Sequence, residues 1–237
     1  MKLSVIIPAY NEAATIGELL DLVLKAGRRQ AGDGGAGFDL EVLVVDDAST
    51  DSTARIVTQK ADAAIRLIRH PVNRGKGAAI RTALAAATGD AVIIQDADLE
   101  YDPADYQAII GLMVTTGAPV VYGSRILGKN PRSYARFYWG GRFLSVLFNL
   151  LYGTRLTDLT TCYKAFRGET IRSIPLACKG FEFCPEVTAR LARRGIPIAE
   201  VAIKYRPRSI SEGKKIRWHD GIQAVWTMLS LRWRRSV

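Results

Sequence analysis

Four carboxylates follow one short apolar run near the middle of the chain. Ala91–Ile94 has the unbroken apolar character of a strand buried on both faces, and Asp96, Asp98, Glu100 and Asp102 come directly after it. Carboxylates this close repel one another unless a cation lies among them. Asp96 and Asp98 offer the oxygen ligands with which proteins hold Mg²⁺ or Mn²⁺ against substrate phosphates. An Asp-x-Asp pair also suits a solvated turn, so the motif alone leaves both interpretations open.

Polar side chains also follow the two apolar runs nearest the N-terminus. Leu3–Ile7 predicts a first strand that stops at Pro8, and Tyr10 lies just beyond it. Glu41–Val45 predicts a second strand, which is followed by Asp46. Open α/β sheets bind ligands at the carboxyl ends of their strands, where an aromatic ring can stack on a base and an acid can contact a ribose. These residues therefore indicate a nucleotide site.

A glycine-rich segment comes before the next predicted helix. Asn73–Gly77 carries Arg74 and Lys76 and leads into the alanine-rich stretch Ala78–Ala87. Glycines let backbone amides approach an anion, and a helix N-terminus favours negative charge. A phosphate site and a turn with solvated cations both fit this segment.

The composition limits the class of protein. The chain has 237 residues, 48% of them hydrophobic, and 33 lysines and arginines against 23 acids give a net charge of +10. This length is enough for one large α/β domain, and the charge favours an anionic partner. Cys162, Cys178 and Cys184 lack a CxxC pair, so neither a disulfide framework nor a zinc site is indicated, and a reducing, cytoplasmic setting fits.

Three segments of the second half carry the remaining structural expectations. Phe137–Gly153 is strongly apolar but contains Arg142 and is too short to cross a bilayer, so a core helix and an interfacial helix both remain open. Ile196–Tyr205 predicts a strand. Trp218–Arg235 has tryptophans at helical spacing between clusters of cations, which predicts an amphipathic helix that packs on the domain, lies on a membrane surface, or does both.

Four motifs taken together resemble those of the family-2 glycosyltransferases, in the same order and with the same spacing. The nearest subgroup is the polyprenyl-phosphate (dolichyl-phosphate) mannose and glucose synthases. The motifs are VIIPAYNE at Val5–Glu12, VVDDASTDST at Val44–Thr53, NRGKGAAI at Asn73–Ile80 and IIQDADLEYDP at Ile93–Pro103.

The resemblance implies a fold and a domain division. The fold is the α/β fold named GT-A, a Rossmann-like mixed and mostly parallel sheet flanked by helices, with C-terminal amphipathic helices. Residues 1–213 would form the catalytic domain, with 137–153 as the interfacial-helix candidate, and residues 214–237 the basic amphipathic helix.

The resemblance also implies an activity. The enzyme would be a metal-dependent inverting glycosyltransferase that moves a hexose from GDP-mannose or UDP-glucose to a polyprenyl phosphate at the cytoplasmic membrane face. Its contact with the membrane would be peripheral or supplied by a membrane-protein partner, and no nucleic acid is expected to bind.

Particular residues take roles by the same resemblance. Mg²⁺ or Mn²⁺ would be held by Asp96 and Asp98, with Gln95 as a third candidate ligand. Asp158 and Glu182 are the candidate bases if the acceptor is a hydroxyl, whereas an acceptor phosphate needs none. The expected nucleotide-sugar contacts are Pro8, Tyr10, Glu12, Val44, Asp46, Lys76, Asp96, Ala97, Asp98, Arg125, Arg208 and Lys214.

Three alternative functions remain open at this stage. A glycosyltransferase acting on a sugar or other hydroxyl is the first. A nucleotidyltransferase could use paired aspartates on a similar sheet, but the chain lacks a glycine-rich basic loop after its first strand. A non-enzymatic basic module that binds membranes or nucleic acid would explain the charge but not the acids at several strand ends.

Overall fold

The sheet is built from seven strands. The computed structural model of the protein describes residues 1–28, 38–131, 135–208 and 218–233. Within them the strands are β1 (Lys2–Ala9), β2 (Asp39–Asp46), β3 (Ile65–Arg69), β4 (Ala91–Ile94), β5 (Val120–Ser124), β6 (Lys164–Arg167) and β7 (Ala199–Ala202). They form one sheet in the order β3-β2-β1-β4-β6-β5-β7.

Helices connect most of the strands and cover the sheet. They are α1 (Ile16–Gly27), α2 (Thr53–Gln59), α3 (Lys76–Ala86), α4 (Tyr106–Thr116), α5 (Ala135–Tyr152), α6 (Gly168–Ser173), α7 (Phe183–Arg193) and α8 (Trp218–Trp233). In α1 the apolar residues recur at helical spacing and are buried, as the sequence pattern predicts: Ile16, Leu19, Leu20, Val23 and Leu24.

The strand directions bring the functional ends together. Every pairing in the sheet is parallel except the two that β6 makes, with β4 and with β5. The carboxyl ends of β1, β2, β4, β5 and β7 therefore meet at one edge, and β6 begins at that same edge. The predicted mixed, mostly parallel α/β sheet is confirmed.

The last strand is shorter than the sequence predicts. It covers Ala199–Ala202, whereas Ile196–Tyr205 was expected, and beyond it Tyr205 makes only an isolated antiparallel bridge with Tyr101. Beyond the strand, backbone amides donate to side chains instead of to a neighbouring strand. The amide of Lys204 donates to Asp105 Oδ2 at 2.8 Å, and the amide of Tyr205 donates to Asn130 Oδ1 at 2.8 Å.

Helices α5 and α8 each bury one face and expose another. They are tied together where the Tyr152 hydroxyl donates to the Met228 carbonyl at 2.8 Å and Arg232 Nε donates to the Leu151 carbonyl at 2.8 Å. The exposed faces carry large apolar side chains: Trp139, Phe143, Val146 and Leu150 on α5, and Trp218, Ile222, Trp226 and Trp233 on α8. Both helices therefore pack on the domain, and the interfacial interpretation stays a prediction for their exposed faces.

Among the four described segments of the chain, no helix combines the length and the apolar character that crossing a bilayer requires.

Helix α4 offers a matched test of the core. Met113 is 1% exposed and its neighbour Val114 is 60% exposed. We expect Met113→Ala to lower the free energy of unfolding by about 2–5 kcal/mol, because it leaves a cavity against the sheet. Val114→Ala should change it by no more than about 0.5 kcal/mol. Chemical denaturation of both variants checks this, and equal losses would contradict the packing of α4.

Candidate active site

A single large cavity opens at the carboxyl edge of the sheet. Its volume is about 1400 Å³, and its walls come from the strand ends, the segment before α3, and helices α5 and α8. It brings together most of the residues that the sequence predicts for the site: Pro8, Tyr10, Glu12, Lys76, Asp96, Ala97, Asp98, Arg125, Asp158 and Arg208.

Asp96 is paired with the first residue of α3. Lys76 Nζ lies 2.5 Å from Asp96 Oδ1, and both side chains are about four-fifths buried, with 19% and 20% exposure. Burial by itself would raise the pKa of Asp96, but the Lys76 ammonium outweighs it and holds that pKa below its ordinary value. Asp96 is therefore ionised in the folded protein at neutral pH.

Asp98 is paired with a cation from the far end of the chain. Arg208 Nη2 donates to Asp98 Oδ2 at 3.0 Å, and Arg208 Nη1 lies 3.3 Å from Glu12 Oε2. One guanidinium thus joins the segment after β1 to the segment after β4. Together, Lys76 and Arg208 balance the negative charge at the centre of the edge.

Arg125 and Asp158 form a bidentate pair in the cavity wall. Arg125 Nε donates to Asp158 Oδ2 at 2.7 Å and Arg125 Nη2 donates to Asp158 Oδ1 at 2.7 Å. Burial by itself would raise the pKa of Asp158, but the guanidinium holds it below the ordinary range. A carboxylate held in this way is a poor proton acceptor, which argues against Asp158 as a general base.

The turns at the strand ends are conformationally strained. Asn11 follows β1, Ala48 follows β2 and Leu99 follows β4, and each has a positive φ, of 50°, 63° and 59° respectively. Non-glycine residues in this region cost about 1–3 kcal/mol each and tend to cluster at functional sites. The strained turns support the assignment of the functional site to this edge of the sheet.

Two residues predicted to contact the nucleotide lie outside the cavity lining. Val44 is fully buried inside β2, because its side chain belongs to the core. Asp46 is also fully buried, and its carboxylate accepts hydrogen bonds from the amide of Ser49 at 3.1 Å and from Arg69 Nε at 3.2 Å. Neither residue is part of the cavity lining, and their contacts with the nucleotide stay predictions.

Two further predicted residues lie outside the cavity lining. Gln95 is fully buried, and its Oε1 accepts from the hydroxyls of Tyr106 and Tyr163 at 2.6 and 2.7 Å, so its amide oxygen faces the core and not a metal. Glu182 does not line the cavity, and its Oε1 accepts from the amides of Lys179 and Gly180. It orders a loop and is not placed as a base.

One predicted residue has no described position. Lys214 lies outside the described residues, so its contact with the nucleotide stays a prediction.

Two residues that line the cavity are not among those that the sequence predicts for the site. Asp47 accepts hydrogen bonds from the amides of Arg74 and Gly75 at 2.9 and 2.7 Å and thereby shapes the glycine-rich segment. The adjacent acids after β2 were a visible signal, but nothing in the sequence showed which one faces the cavity. Arg142 also lines the cavity and donates to the Thr157 carbonyl at 3.3 Å. The feature of the sequence that could have indicated Arg142 is a cation within an otherwise apolar helix.

The donor set suits a divalent ion that arrives with a phosphate ligand. Asp96 and Asp98 present carboxylate oxygens in one cavity, and their charge is large enough to require two protein cations. Among the described residues, no group of three or more acids, histidines or cysteines could hold an ion unaided. Two carboxylates plus substrate phosphates and water is how proteins usually hold Mg²⁺.

The pKa of Asp98 predicts how the stability of the protein depends on pH. Burial and the nearby Asp96 and Glu100 charges raise the pKa of Asp98 from 3.8 to about 7. The folded protein then binds more protons than the unfolded chain between about pH 4 and pH 7, so the contribution of Asp98 to stability falls as the pH rises. We therefore expect the melting temperature of Asp98→Asn, measured in EDTA, to rise relative to that of the wild type as the pH increases from about 4 to about 7.

The control for this measurement is Asp21→Asn, on an exposed face of α1, where the Asp21 side chain is 66% exposed. Its difference from the wild type should stay constant with pH. A constant difference for Asp98→Asn as well would contradict the raised pKa.

Comparison with known sequences identifies the family. A profile of glycosyl transferase family 2 matches residues 4–174. An undecaprenyl-phosphate mannosyltransferase of Micrococcus luteus is 32% identical, over 98% of this chain and 99% of its own length. A dolichyl-phosphate beta-glucosyltransferase of Dictyostelium discoideum is 28% identical, over 98% of this chain and 74% of its own length.

Comparison with solved structures agrees with the fold. Glucosyl-3-phosphoglycerate synthase from Mycobacterium tuberculosis, in complex with Mn²⁺, UDP-glucose and phosphoglyceric acid, has a TM-score of 0.75 and 25% identity, over 98% of this chain and 79% of that chain. The sheet order, the carboxylate-lined edge and the matched profile lead to the same assignment, and they favour an enzyme over a non-enzymatic basic module. The chain belongs to glycosyl transferase family 2 and is a glycosyltransferase.

Proposed function

We propose that the protein is a metal-dependent inverting hexosyltransferase with a polyprenyl phosphate as its acceptor and GDP-mannose or UDP-glucose as its donor. The observation that carries this proposal is the shape of the cavity. It runs without interruption from the carboxylates of the sheet edge to the apolar side chains of α5 and α8. Two relatives named for polyprenyl-phosphate acceptors support the same acceptor class.

The polar end of the cavity suits the donor. Asp96 and Asp98 would hold Mg²⁺ or Mn²⁺, which when bound offsets the charge that grows on the leaving diphosphate. Lys76 and Arg208 lie beside these carboxylates and add positive charge where the phosphates would sit. Tyr10 lies at the same edge, lines the cavity and is 37% exposed, and a base would stack on its ring.

The other end suits a lipid phosphate. Arg142, on α5, is a cation in the cavity wall next to Phe143 in the chain, and it would attract an acceptor phosphate. Phe143 and Trp226 line the cavity while remaining 61% and 70% exposed. Apolar side chains that are open to solvent beside a cation fit an amphiphile with an anionic head.

The two acids named as candidate bases are both engaged by other groups, which favours a phosphate acceptor over a hydroxyl. Asp158 is held by Arg125, and Glu182 is used by loop amides. A phosphate is already ionised at neutral pH, so its oxygen can form the bond to the anomeric carbon unaided. The bond from that carbon to the donor diphosphate breaks, and its electron pair leaves with the diphosphate.

The exposed faces of α5 and α8 would rest on the membrane surface. Leu150 and Trp233 are 79% and 70% exposed and do not line the cavity, so substrate contact does not explain them. Tryptophans and cations on an amphipathic helix are typical of interfacial segments. Cys162, Cys178 and Cys184 are unpaired thiols, which fits the cytoplasmic face.

A transfer assay tests the activity. The protein is incubated with labelled UDP-glucose or GDP-mannose, with undecaprenyl or dolichyl phosphate, and with Mn²⁺, Mg²⁺ or EDTA. We expect label in the organic phase from one donor only, and none in EDTA. Asp96→Ala should lower the rate by about 10²-fold or more, because it removes a group that holds the metal.

Asp21→Asn is the matched control and should retain the wild-type rate, since Asp21 pairs with Lys60 on the surface. Normal turnover in Asp96→Ala would contradict the metal site. Transfer to phosphoglyceric acid but not to a lipid would move the acceptor class to small soluble phosphates, whereas transfer to a neutral sugar would favour the hydroxyl alternative.

Vesicle flotation tests the membrane surface. We expect the protein to float with vesicles of phosphatidylcholine and phosphatidylglycerol. Leu150→Glu and Trp233→Glu should each lower the bound fraction about tenfold, since each places a charge where an apolar side chain would be buried. Val114→Glu, on α4, is the control and should float normally. Unchanged flotation of the two variants would contradict the docking face and favour a membrane-protein partner.

A further inference from the structure

One side chain holds the segment that carries Arg208. Glu100 Oε1 accepts a hydrogen bond from the amide of Arg208 at 2.7 Å, and Glu100 Oε2 accepts one from the hydroxyl of Tyr205 at 2.9 Å. The carbonyl of Glu100 also accepts from the amide of Arg206 at 2.9 Å. Both carboxylate oxygens and the carbonyl of one residue thus contact a segment of four residues, 205–208.

Glu100 also contacts the segment that carries the paired carboxylates. Its amide donates to Asp98 Oδ1 at 3.1 Å, and the residue between them, Leu99, is held at a φ of 59°. Glu100 is itself only 9% exposed, so it is not a solvated surface acid. Glu100 is therefore hydrogen-bonded to Asp98 and also to the segment that carries Arg208, the cation that pairs with Asp98.

The segment needs such an anchor because the sheet does not supply one. β7 ends at Ala202, and beyond it the amide of Ile203 donates to the Ser124 carbonyl at 3.2 Å and Tyr205 makes an isolated bridge with Tyr101. The amides of Lys204 and Tyr205 are held by Asp105 and Asn130, and Glu100 holds the amides of Arg206 and Arg208. A guanidinium at the end of an unpaired segment would sample many positions, and ordering it has an entropic cost. The contacts of Glu100 fix the backbone from which the Arg208 side chain extends.

We propose that Glu100 is a positioning residue for Arg208: it fixes the 205–208 backbone so that the guanidinium stands beside Asp98 and contacts the diphosphate of the donor. Glu100 lines the same cavity, and its two carboxylate oxygens accept hydrogen bonds from this segment. Its negative charge is turned toward the amide of Arg208 and the hydroxyl of Tyr205. This role rests on the proposed function, in which Arg208 contacts the diphosphate.

A double-mutant cycle tests the role. The dissociation constant of UDP or GDP with Mn²⁺ is measured by calorimetry for Glu100→Ala, Arg208→Ala and the double variant. We expect Glu100→Ala to weaken binding about tenfold, the scale of one hydrogen bond that involves a charged group. The double variant should bind no more weakly than Arg208→Ala, because Glu100 acts only through Arg208.

Two further variants separate positioning from general stability. Glu100→Gln keeps an oxygen for the Arg208 amide and should restore most of the binding. Asp105→Ala removes the acceptor of the Lys204 amide, on the same stretch of chain but without contact to Arg208, and its effect on binding should add to that of Arg208→Ala. Additive losses for Glu100→Ala, or a lower melting temperature with unchanged binding, would overturn the proposal.

Hydrogen exchange separates this proposal from the proposed function. The amide of Arg208, whose acceptor is the Glu100 carboxylate, should exchange at least tenfold faster in Glu100→Ala than in the wild type, with no ligand present. If the wild type binds neither nucleotide with either metal, the proposed function fails while the exchange data still decide whether Glu100 anchors the segment. Unchanged exchange overturns the anchor whatever the nucleotide data show.

Discussion

The repulsion between Asp96 and Asp98 is the constraint on which the rest of the cavity depends. Both carboxylates follow a strand at the centre of the sheet edge, where burial makes an unbalanced charge costly. The chain balances them with Lys76, from the start of α3, and Arg208, from beyond β7. These cations lie far apart in sequence, so the balanced site exists only once the whole sheet has assembled.

The loops around this centre are ordered by carboxylates that do no chemistry themselves. Asp47 binds the amides of Arg74 and Gly75, and Glu182 binds the amides of Lys179 and Gly180. These two loops pack so closely that a Cβ on Gly75 would overlap the Lys179 carbonyl, and the φ of +90° at Gly75 also favours glycine. Asp47 and Glu182 therefore support the two loops.

The antiparallel strand β6 joins the two halves of the cavity. Because it begins at the carboxyl edge, the chain before it passes that edge and places Asp158 opposite Arg125. Helix α5 comes just before this stretch, and α8 packs on α5. The polar edge and the exposed apolar faces consequently share one cavity, which is the arrangement that a water-soluble donor and a lipid acceptor would require.

The sequence by itself determined the α/β fold, the strands that end in polar residues, and the motifs that identify the family, because these are local patterns of burial and spacing. It could not show that Gln95 faces two tyrosines, that Asp47 and not Asp46 faces the cavity, or that the amide of Arg208 donates to Glu100. Each of these depends on which way a side chain turns and on a partner distant in the chain. Only the tertiary structure decides such pairings, since the free energy of a buried polar group is set by the partner that folding brings to it.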